Sequence, residues 1–304
     1  MKAIASTITR SRFSTIDRNL QACLLISGIA VMLPSISSAQ QAKPIETKKE
    51  LDKTLSIEIP TSAYKMDFVL VQGDDAKGIK PFYMGTTEVT WDAFDVYIYR
   101  LDEPNSPPVG KGADAVTHPS KSYLPPDRGF GHDQFATITI SHKNARTFCE
   151  WLSKKCGKKV RLASDAEWQY ACELGDKGEK QFTPSTAKEF AWYLDNSEEK
   201  THKVAGLKPN ALGIYDMRGN VAEWVTGSRG EALTKGGSYQ DGLDAIKNPQ
   251  ATVPNDPAWN GSDPQIPKSK WWLADGPMIG FRVVVEPEEP KPEAQAAEKK
   301  PHQE

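Results

Sequence analysis

Hydrophobic positions along the central part of the chain follow the spacings of both strands and helices. The run Met66–Val71 predicts a buried strand, and Phe82–Gly85 forms a second short apolar segment. Beyond them, apolar side chains recur at helical spacing between Phe94 and Ile98. We therefore expect a helix that begins after Thr90, whose hydroxyl can accept a hydrogen bond from a backbone N–H of the first turn.

Two longer amphipathic helices follow. The alternating segment Phe135–Ile140 predicts a strand, and an apolar face at helical spacing predicts a helix that starts at Ser141. A capping box formed by Ser164 and Glu167 opens the next helix, which is expected to stop at Gly175. These two helices should pack on a sheet, so the pattern alone predicts an α+β fold with a high loop content.

Composition favours one large folded unit with tails. The chain has 304 residues, 38% hydrophobic and 26% charged, with a formal net charge of -2. We expect the folded domain over residues 57–286, a flexible linker over 40–56 and a disordered tail over 287–304, because both flanking segments hold too little apolar surface to offset chain entropy. No Lys/Arg cluster with aromatic residues occurs centrally, so a nucleic acid is not an expected partner.

The N-terminus has the three parts of a secretory signal peptide. Basic residues precede an apolar stretch, Ala22–Leu33, and small residues follow up to Ala39. The stretch is shorter than the roughly 20 residues that span a bilayer. We therefore expect cleavage of residues 1–39 rather than a membrane anchor, and no later segment is apolar enough for a stable membrane span. The predicted location is secreted or periplasmic, or at the cell surface.

The mature chain would hold Cys149, Cys156 and Cys172, an odd number that leaves at least one thiol unpaired. Seven residues of helix separate Cys149 from Cys156 by about 10 Å, which is beyond the reach of a disulfide. A bond between Cys149 and Cys172 stays open. Buried free thiols that act as small apolar side chains are the preferred interpretation.

A long segment over residues 102–134 is rich in Pro, Gly, Ser and Asp and has no regular periodicity. Loops of this length in a compact domain are often functional. We take Arg128, Phe130, His132 and Asp133 as a candidate binding surface, with a plain insertion as the alternative.

Five blocks of sequence occur in a recognisable order: Gly85–Thr90, Phe148–Ala171, Asn210–Val225, Lys235–Tyr239 and Trp271–Val284. Together they resemble the formylglycine-generating enzyme family, also called the sulfatase-modifying factor family. The resemblance implies that family's loop-rich α+β fold, related to C-type lectins, with a twisted antiparallel sheet and two main helices.

The resemblance also implies a calcium site between Asp216 and Glu223. Family members bind Ca²⁺ in this loop, and the match implies side-chain oxygens from Asp216 and Glu223 with backbone carbonyls of Gly219 and Val221. Ca²⁺ is a hard cation that takes several oxygen ligands, which suits a tight turn that contains glycine. The alternative is a turn in which the two carboxylates merely accept backbone N–H bonds.

Active members of the family hold Cu(I) between two cysteine thiolates and use O₂ to oxidise a cysteine in a sulfatase peptide. The matching positions here are Asp241 and Ile246, one a hard donor and one without a donor atom, whereas Cu(I) selects soft sulfur. No cysteine occurs after Cys172, and Ala222 stands where the family usually has Trp. Copper is therefore not an expected cofactor.

Other metal or nucleophilic chemistry has little support in the pattern. An Fe(II) site of histidines needs ligands that converge, and the mature histidines before the tail are scattered without an i, i+4 pair: His118, His132, His142 and His202. The Gly-x-Ser-x-Gly motif of serine hydrolases is absent.

The sequence therefore predicts a secreted, non-catalytic member of the family, a calcium-stabilised module that binds a protein, peptide or glycan through its long loops. The alternative is an enzyme: an active formylglycine-generating enzyme acting on a cysteine-containing sulfatase peptide, or another metal-dependent oxidoreductase. A third interpretation, a structural part of a cell-surface assembly, is not separated from the first by sequence.

Overall fold

An antiparallel sheet of five strands forms the frame of the folded chain. The computed structural model describes residues 51–103, 125–177, 182–261 and 274–288, which belong to one compact unit that begins at Lys49. The strands in these ranges are β1 (Thr54–Glu58), β2 (Lys65–Val71), β3 (Phe82–Gly85), β4 (Val160–Leu162), β5 (Ala222–Thr226), β6 (Ala232–Lys235), β7 (Ile279–Phe281) and β8 (Val283–Val285). The large sheet has the order β1-β2-β3-β8-β4, and a smaller sheet has the order β6-β5-β7 with β5 and β7 parallel.

Two long helices cover the large sheet, as the periodicity predicted. The helices in the described ranges are α1 (Trp91–Ile98), α2 (His142–Cys156), α3 (Asp165–Gly175), α4 (Ala187–Phe190) and α5 (Leu243–Lys247). This combination of antiparallel sheets and few helices confirms the α+β class. Among the residues that the structure describes, none of the helices combines the length and the apolar character that crossing a membrane requires.

The large sheet is buried on both faces. Along β8, Val283 and Val285 join a cluster with the aromatic side chains of α1 and α2, whereas Val284 faces a second cluster around Trp168 of α3. The period of two along a strand sends alternate side chains to opposite faces. A strand that is apolar at every position is therefore expected in the middle of this three-layered arrangement.

Of the two caps that the sequence predicted, one forms, and α2 begins as predicted after Ser141. The Ser141 hydroxyl accepts a hydrogen bond from Asn144 N at the start of α2, and Ser164 and Glu167 form the complete capping box of α3. Thr90 occupies the N-cap position of α1, but its hydroxyl makes no capping bond, so that part of the prediction was wrong.

The predicted strand Phe135–Ile140 does not form. Phe135 is half-buried, and every residue from Ala136 to Ile140 is buried, including the two threonines. The backbone pairs with a different segment at almost every step: Ala136 bridges to Thr90, and Phe135 bridges to Lys203. Thr139 adopts a left-handed φ of 60°, which interrupts the extended chain. Alternation of apolar and polar residues therefore predicted neither the exposed face nor one continuous partner strand.

The folded region begins slightly before the predicted boundary. Strand β1 starts at Thr54, inside the segment predicted as a linker, and pairs with β2 through Leu55↔Phe68 and Ile57↔Met66. The alternating Leu55 and Ile57 are the apolar residues of this strand. Because polar residues lie between and beside them, the composition of the segment resembles that of a linker. The predicted signal peptide, the rest of the linker up to residue 50 and residues 289–304 of the tail lie outside the described residues.

All three predicted mature cysteines are free, which confirms the preferred interpretation. Cys149 and Cys172 are buried, and burial raises the pKa of the Cys172 thiol to about 12 and that of Cys149 still higher. Both therefore stay protonated and pack as apolar side chains.

Candidate functional site

A cleft of about 460 Å³ opens beside the loop at residues 125–134. This volume lies in the range of about 300–1,000 Å³ that is common for ligand clefts. Its lining combines aromatic and aliphatic side chains with three polar ones: Arg128, Phe130, Leu194, Glu199, Tyr239, Gln240 and Pro277. The cleft is a candidate binding site on size and chemical mixture.

Tyr239 is the rigid wall of this cleft. Its backbone N–H donates to Asn220 O at 2.9 Å, and its carbonyl accepts from Ser197 Oγ at 2.8 Å. The ring meets Phe130 edge to face, with centroids 5.5 Å apart, and Gln240 Nε2 donates to the phenol oxygen at 3.0 Å. Burial raises the pKa of the Tyr239 hydroxyl, so the group stays neutral at physiological pH.

Two of the four predicted loop residues line the cleft. Arg128 Nη2 donates to Asp275 Oδ1 at 2.6 Å, which ties the loop to the segment that contains Pro277, while Phe130 faces Tyr239. Arg128 holds this position with a left-handed φ of 55°. Asp133 is exposed and does not line the cleft.

His132 faces the body of the domain and holds the loop in place. Its Nε2 lies 2.8 Å from Asp95 Oδ2, its Nδ1 lies 3.3 Å from Asp127 Oδ2, and the ring stacks on Trp91 at 5.2 Å. The hydrogen bond to Asp95 raises the pKa of the imidazole, opposed by partial burial and assisted by Asp127. His132 therefore holds the loop in position, and it does not line the cleft.

The loop that the resemblance aligned with a copper site, which holds Asp241 and Ile246, folds closely around Gly237. A Cβ added to Gly237 would lie 2.8 Å from Ile246 Cγ2 and 3.6 Å from Asp241 Oδ2, so both positions lie close to this glycine. Asp241 Oδ2 accepts from Ser238 N at 2.7 Å and from Ser238 Oγ at 2.8 Å. Ile246 is fully buried with Ala187, Ala191 and Tyr193. Both side chains therefore have structural roles here.

A buried ion pair joins β5 to the link between β7 and β8. Arg282 Nη2 donates to Glu223 Oε1 at 2.8 Å, its Nε lies 3.1 Å from both carboxylate oxygens, and both residues are 1% exposed. Trp168 Nε1 donates to Glu223 Oε2 at 2.7 Å. Arg282 also donates to the carbonyls of Gly85 and Tyr215, both at 2.8 Å. This guanidinium joins three segments that are distant in the sequence.

Two further carboxylates surround the ion pair, and each has an oxygen without a partner. Asp216 Oδ2 accepts from Ala205 N at 2.7 Å, and Glu88 Oε1 accepts from Asn220 Nδ2 at 3.0 Å. Asp216 Oδ1 and Glu88 Oε2 are buried without a hydrogen bond. Burial raises the pKa of Asp216 to about 6 and that of Glu88 well above its usual range, the latter with a further contribution from Asp216.

The predicted calcium ligands occupy one tight turn. Asp216 and Gly219 adopt left-handed φ angles of 52° and 73°, and a Cβ at Gly219 would lie 2.1 Å from Trp192 O, so glycine is required there. Asp216 offers a buried free oxygen, which fits a hard cation. Glu223 fits less well, because Arg282 and Trp168 already engage both of its oxygens. Calcium stays a prediction.

Within the described ranges, no three His, Cys, Asp or Glu side chains gather as a metal centre built from side chains alone would require. His142 is buried against Thr226 at 3.2 Å, and burial lowers its pKa to about 4. His202 stacks on Trp192 at 3.8 Å, and His118 lies outside the described residues. Three of the four scattered histidines therefore have separate structural surroundings.

Sequence reasoning missed most of the cleft and one of the buried carboxylates. Leu194, Glu199 and Pro277 carry no local motif, and only the fold brings them to the loop at residues 125–134. Glu88 belongs to the block Gly85–Thr90, and its position between a strand and a helix was the one available signal.

Comparison with known proteins agrees with this architecture. The family model described as the sulfatase-modifying factor enzyme 1-like domain matches residues 41–287. The chain is 29% identical over 175 residues to the chaperone protein LppX of Paenibacillus barcinonensis, covering 51% of this chain and 55% of that protein. It is also 29% identical over 137 residues to inactive C-alpha-formylglycine-generating enzyme 2 of Bos taurus, covering 40% of this chain and 44% of that protein.

The matches therefore span about half the length of these curated relatives. Among solved structures, Treponema denticola variable protein 1 superposes with a TM-score of 0.52 at 19% identity, covering 78% of this chain and 100% of that chain, which shows a shared fold. The family model covers most of the chain, and its extent agrees with the sheet and helices described above. The protein therefore belongs to the family of the sulfatase-modifying factor enzyme 1-like domain.

Proposed function

We propose that this protein is a non-catalytic binding module whose cleft beside Phe130 and Tyr239 holds a segment of another polypeptide. The observation that carries the proposal is the position of the cleft. Tyr239 and Gln240 of its wall immediately precede Asp241, in the loop where active relatives hold copper, and that loop offers no cysteine. Binding can persist there without the metal chemistry.

The lining of the cleft supports a polypeptide ligand. Leu194 is 51% exposed and lies beside Phe130 and Pro277, which favours contact with an apolar side chain. Arg128, Glu199 and Gln240 add charged and amide groups that can bind a peptide backbone or a polar side chain. One relative carries the name chaperone protein, which also supports a polypeptide as the ligand.

The absence of copper donors in the sequence supports a non-catalytic role. Cu(I) needs soft ligands, whereas Asp241 is a hard donor bonded to Ser238 and Ile246 is an apolar core residue. Relatives from two mammals carry the name inactive C-alpha-formylglycine-generating enzyme 2. The competing function is a metal-dependent oxidoreductase that acts on a cysteine-containing sulfatase peptide.

Calcium and export complete the proposal. Asp216 and the carbonyls of Gly219 and Val221 would hold Ca²⁺ next to the segment that carries Asn220, whose carbonyl fixes Tyr239. A bound cation would thereby stabilise the wall of the cleft. Calcium is abundant outside the cell, which agrees with the signal-peptide pattern of residues 1–39 and a secreted, periplasmic or surface location.

The proposal is tested by panning a random peptide library displayed on phage against the purified full chain. We expect peptides with an apolar residue, and we expect Leu194→Ala to weaken them about 5- to 30-fold, because truncating a buried leucine loses about 1–2 kcal/mol. The matched control is Leu101→Ala, since Leu101 is similarly exposed at 53% and does not line the cleft. The Leu101→Ala variant should bind the selected peptides with the affinity of the wild type.

Three results would contradict the proposal. This cleft would be excluded as a polypeptide site if the library yields no binder. It would also be excluded if neither Leu194→Ala nor Phe130→Ala changes the affinity for the selected peptides. Binding to a glycan array in place of peptides would show that the ligand class is wrong. Uptake of O₂ with oxidation of a sulfatase-type cysteine peptide in the presence of Cu(I) would establish the enzyme instead.

A further inference from the structure

We infer that His202 is a positioning residue that forms the cleft in advance of the ligand. It holds Tyr239 together with residues 194–199, a segment that we call the cleft arm because it carries Leu194 and Glu199 of the lining. His202 itself does not line the cleft. The inference rests on the ligand binding of the proposed function, and it adds the residue that fixes the site.

The cleft arm and the wall that contains Tyr239 are joined at two points. Leu194 N donates to Asp241 O at 3.0 Å, and Ser197 Oγ donates to Tyr239 O at 2.8 Å. Ser197 is fully buried, whereas Leu194 and Glu199 on either side of it are exposed. The arm is therefore tied down at its centre, and its exposed residues line the cleft.

His202 closes a ring of hydrogen bonds through these residues. Its Nε2 lies 2.7 Å from Ser197 O, and its backbone N–H donates to Asn220 Oδ1 at 2.9 Å. Asn220 O in turn accepts from Tyr239 N at 2.9 Å, and Tyr239 O accepts from Ser197 Oγ. Each of these four residues is thus bonded to two of the others, and the ring is closed.

The acceptor fixes the role of the imidazole. A carbonyl oxygen can only accept, so Nε2 of His202 carries the hydrogen in its bond to Ser197 O. The imidazole also stacks on Trp192, with centroids 3.8 Å apart and planes inclined by 12°, and Trp192 O accepts from Asn220 N at 2.7 Å. The stacking therefore holds the imidazole in the orientation that the bond to Ser197 requires.

The bond from His202 to Ser197 spans a strained turn. Glu198 and Glu199 both adopt left-handed φ angles, 56° and 58°, which are uncommon for residues other than glycine. Such conformations persist only where the surrounding contacts determine them. Loss of the bond would allow the turn to relax, and Glu199 of the cleft lining would move with it.

A cleft that is formed in advance has a measurable consequence for binding. The apparent affinity of a ligand falls in proportion to the fraction of molecules in which the binding conformation is populated. Ordering of the cleft arm before the ligand arrives also removes an entropic cost from association. His202 should therefore raise the affinity for the ligand through Ser197 and Tyr239.

The test compares variants of the full chain that separate the hydrogen bond from the stacking. His202→Phe keeps a planar ring beside Trp192 and removes the N–H donor, whereas His202→Gln keeps a donor and removes the planar ring. The matched control is His142→Phe, which removes a histidine that is bonded to Thr226 at 3.2 Å and lies outside the hydrogen-bonded ring.

Amide hydrogen exchange measures the wall without any ligand. The Tyr239 N–H should exchange about 2- to 12-fold faster in His202→Phe, the factor that corresponds to loss of one net hydrogen bond. In His202→Gln its rate should stay within about twofold of the wild type. The Ala145 N–H, which donates to Ser141 O at 3.0 Å in α2, should keep its rate in both variants because a positioning role acts locally.

Affinity for the peptides selected by panning against the wild type is the second measurement. It should fall about 3- to 10-fold in His202→Phe, as expected if about a tenth to a third of the molecules keep a formed cleft, and stay within about twofold in His202→Gln. His142→Phe should bind these peptides as the wild type does. Ser197→Ala breaks the ring at the bond to Tyr239 O, so it should reproduce both effects of His202→Phe and decides the question if His202→Phe does not fold.

Three results would overturn the inference. An equal acceleration of the Tyr239 and Ala145 amides would show that His202 supports the fold as a whole. An unchanged Tyr239 amide in His202→Phe and Ser197→Ala would show that the ring does not hold the wall. Faster exchange with unchanged peptide affinity would show that binding does not depend on the ring. A library without binders would instead refute the proposed function, and the exchange rates would still decide whether His202 holds the wall.

Discussion

The buried ion pair of Arg282 and Glu223 predicts that substitution of the arginine lowers the stability of the fold more than substitution of the glutamate. Replacing Arg282 with Gln would leave three buried carboxylates without their guanidinium and two carbonyls, those of Gly85 and Tyr215, without a donor. Removing one member of a buried ion pair costs about 3–5 kcal/mol, and each orphaned acceptor adds about 1–3 kcal/mol. We expect Arg282→Gln to lower the free energy of unfolding by at least about 5 kcal/mol.

Glu223→Gln should be milder for a reason specific to this cluster. Arg282 would keep both carbonyl acceptors and would still lie near Glu88 and Asp216. The amide oxygen can keep one donor, so the loss is mainly that of charge-assisted hydrogen bonds, about 1–3 kcal/mol. The two variants should therefore differ by about 2 kcal/mol or more, or about 4–8 °C in Tm for a domain of this size.

Urea unfolding followed by tryptophan fluorescence measures this difference, with EDTA present so that bound cations do not contribute. Glu58→Gln on the exposed pair with Lys65 is the control and should change stability by less than about 1 kcal/mol. Equal losses in the two variants, or a larger loss for Glu223→Gln, would refute the assignment of Arg282 as the cation that holds the cluster together.

Two further predictions concern the loop and a helix cap. The hydrogen bond to Asp95 raises the pKa of His132 above 6.5. The stabilisation by protonated His132 should therefore be fully present below about pH 6.5 and should be lost as the pH rises through the raised pKa. Between about pH 6 and 9, Tm should fall more in the wild type than in His132→Gln, and parallel curves would contradict this. Ser164→Ala removes the hydroxyl that caps α3 and should lower the free energy of unfolding, measured in urea, by about 1 kcal/mol. An unchanged stability would show that the bond donated by the backbone N–H of residue 164 to Glu167 is sufficient.

Local signals in the sequence predicted the elements whose stability is decided locally. The start of α2 at Ser141, the capping box at Ser164 and the periodicity of α2 and α3 each depend on residues within four positions of one another. A local sequence pattern can therefore predict them. The segment Phe135–Ile140 failed for the opposite reason. Its partners, Thr90 and Lys203, are distant in the sequence, and no local pattern specifies them.

The candidate site divides in the same way. Arg128 and Phe130 stood out in an irregular loop, whereas Leu194 and Pro277 reach the cleft through tertiary packing alone. Glu223 and Arg282 lie in two of the family-like blocks, Asn210–Val225 and Trp271–Val284, but their pairing across 59 positions is visible only in the fold. The sequence therefore indicated which segments matter and could not state which side chains meet.

The loop from Ser238 to Ile246 is held by contacts of its own side chains. Asp241 bonds to the N–H and the hydroxyl of Ser238, and Ile246 packs on Tyr193 in a small core beneath Gly237. Hydrogen bonds and apolar contacts thus hold the conformation of this loop directly. Because Tyr239 lies within the same loop, these contacts also hold the wall of the cleft, and the ligand binding that we propose there has no physical requirement for copper.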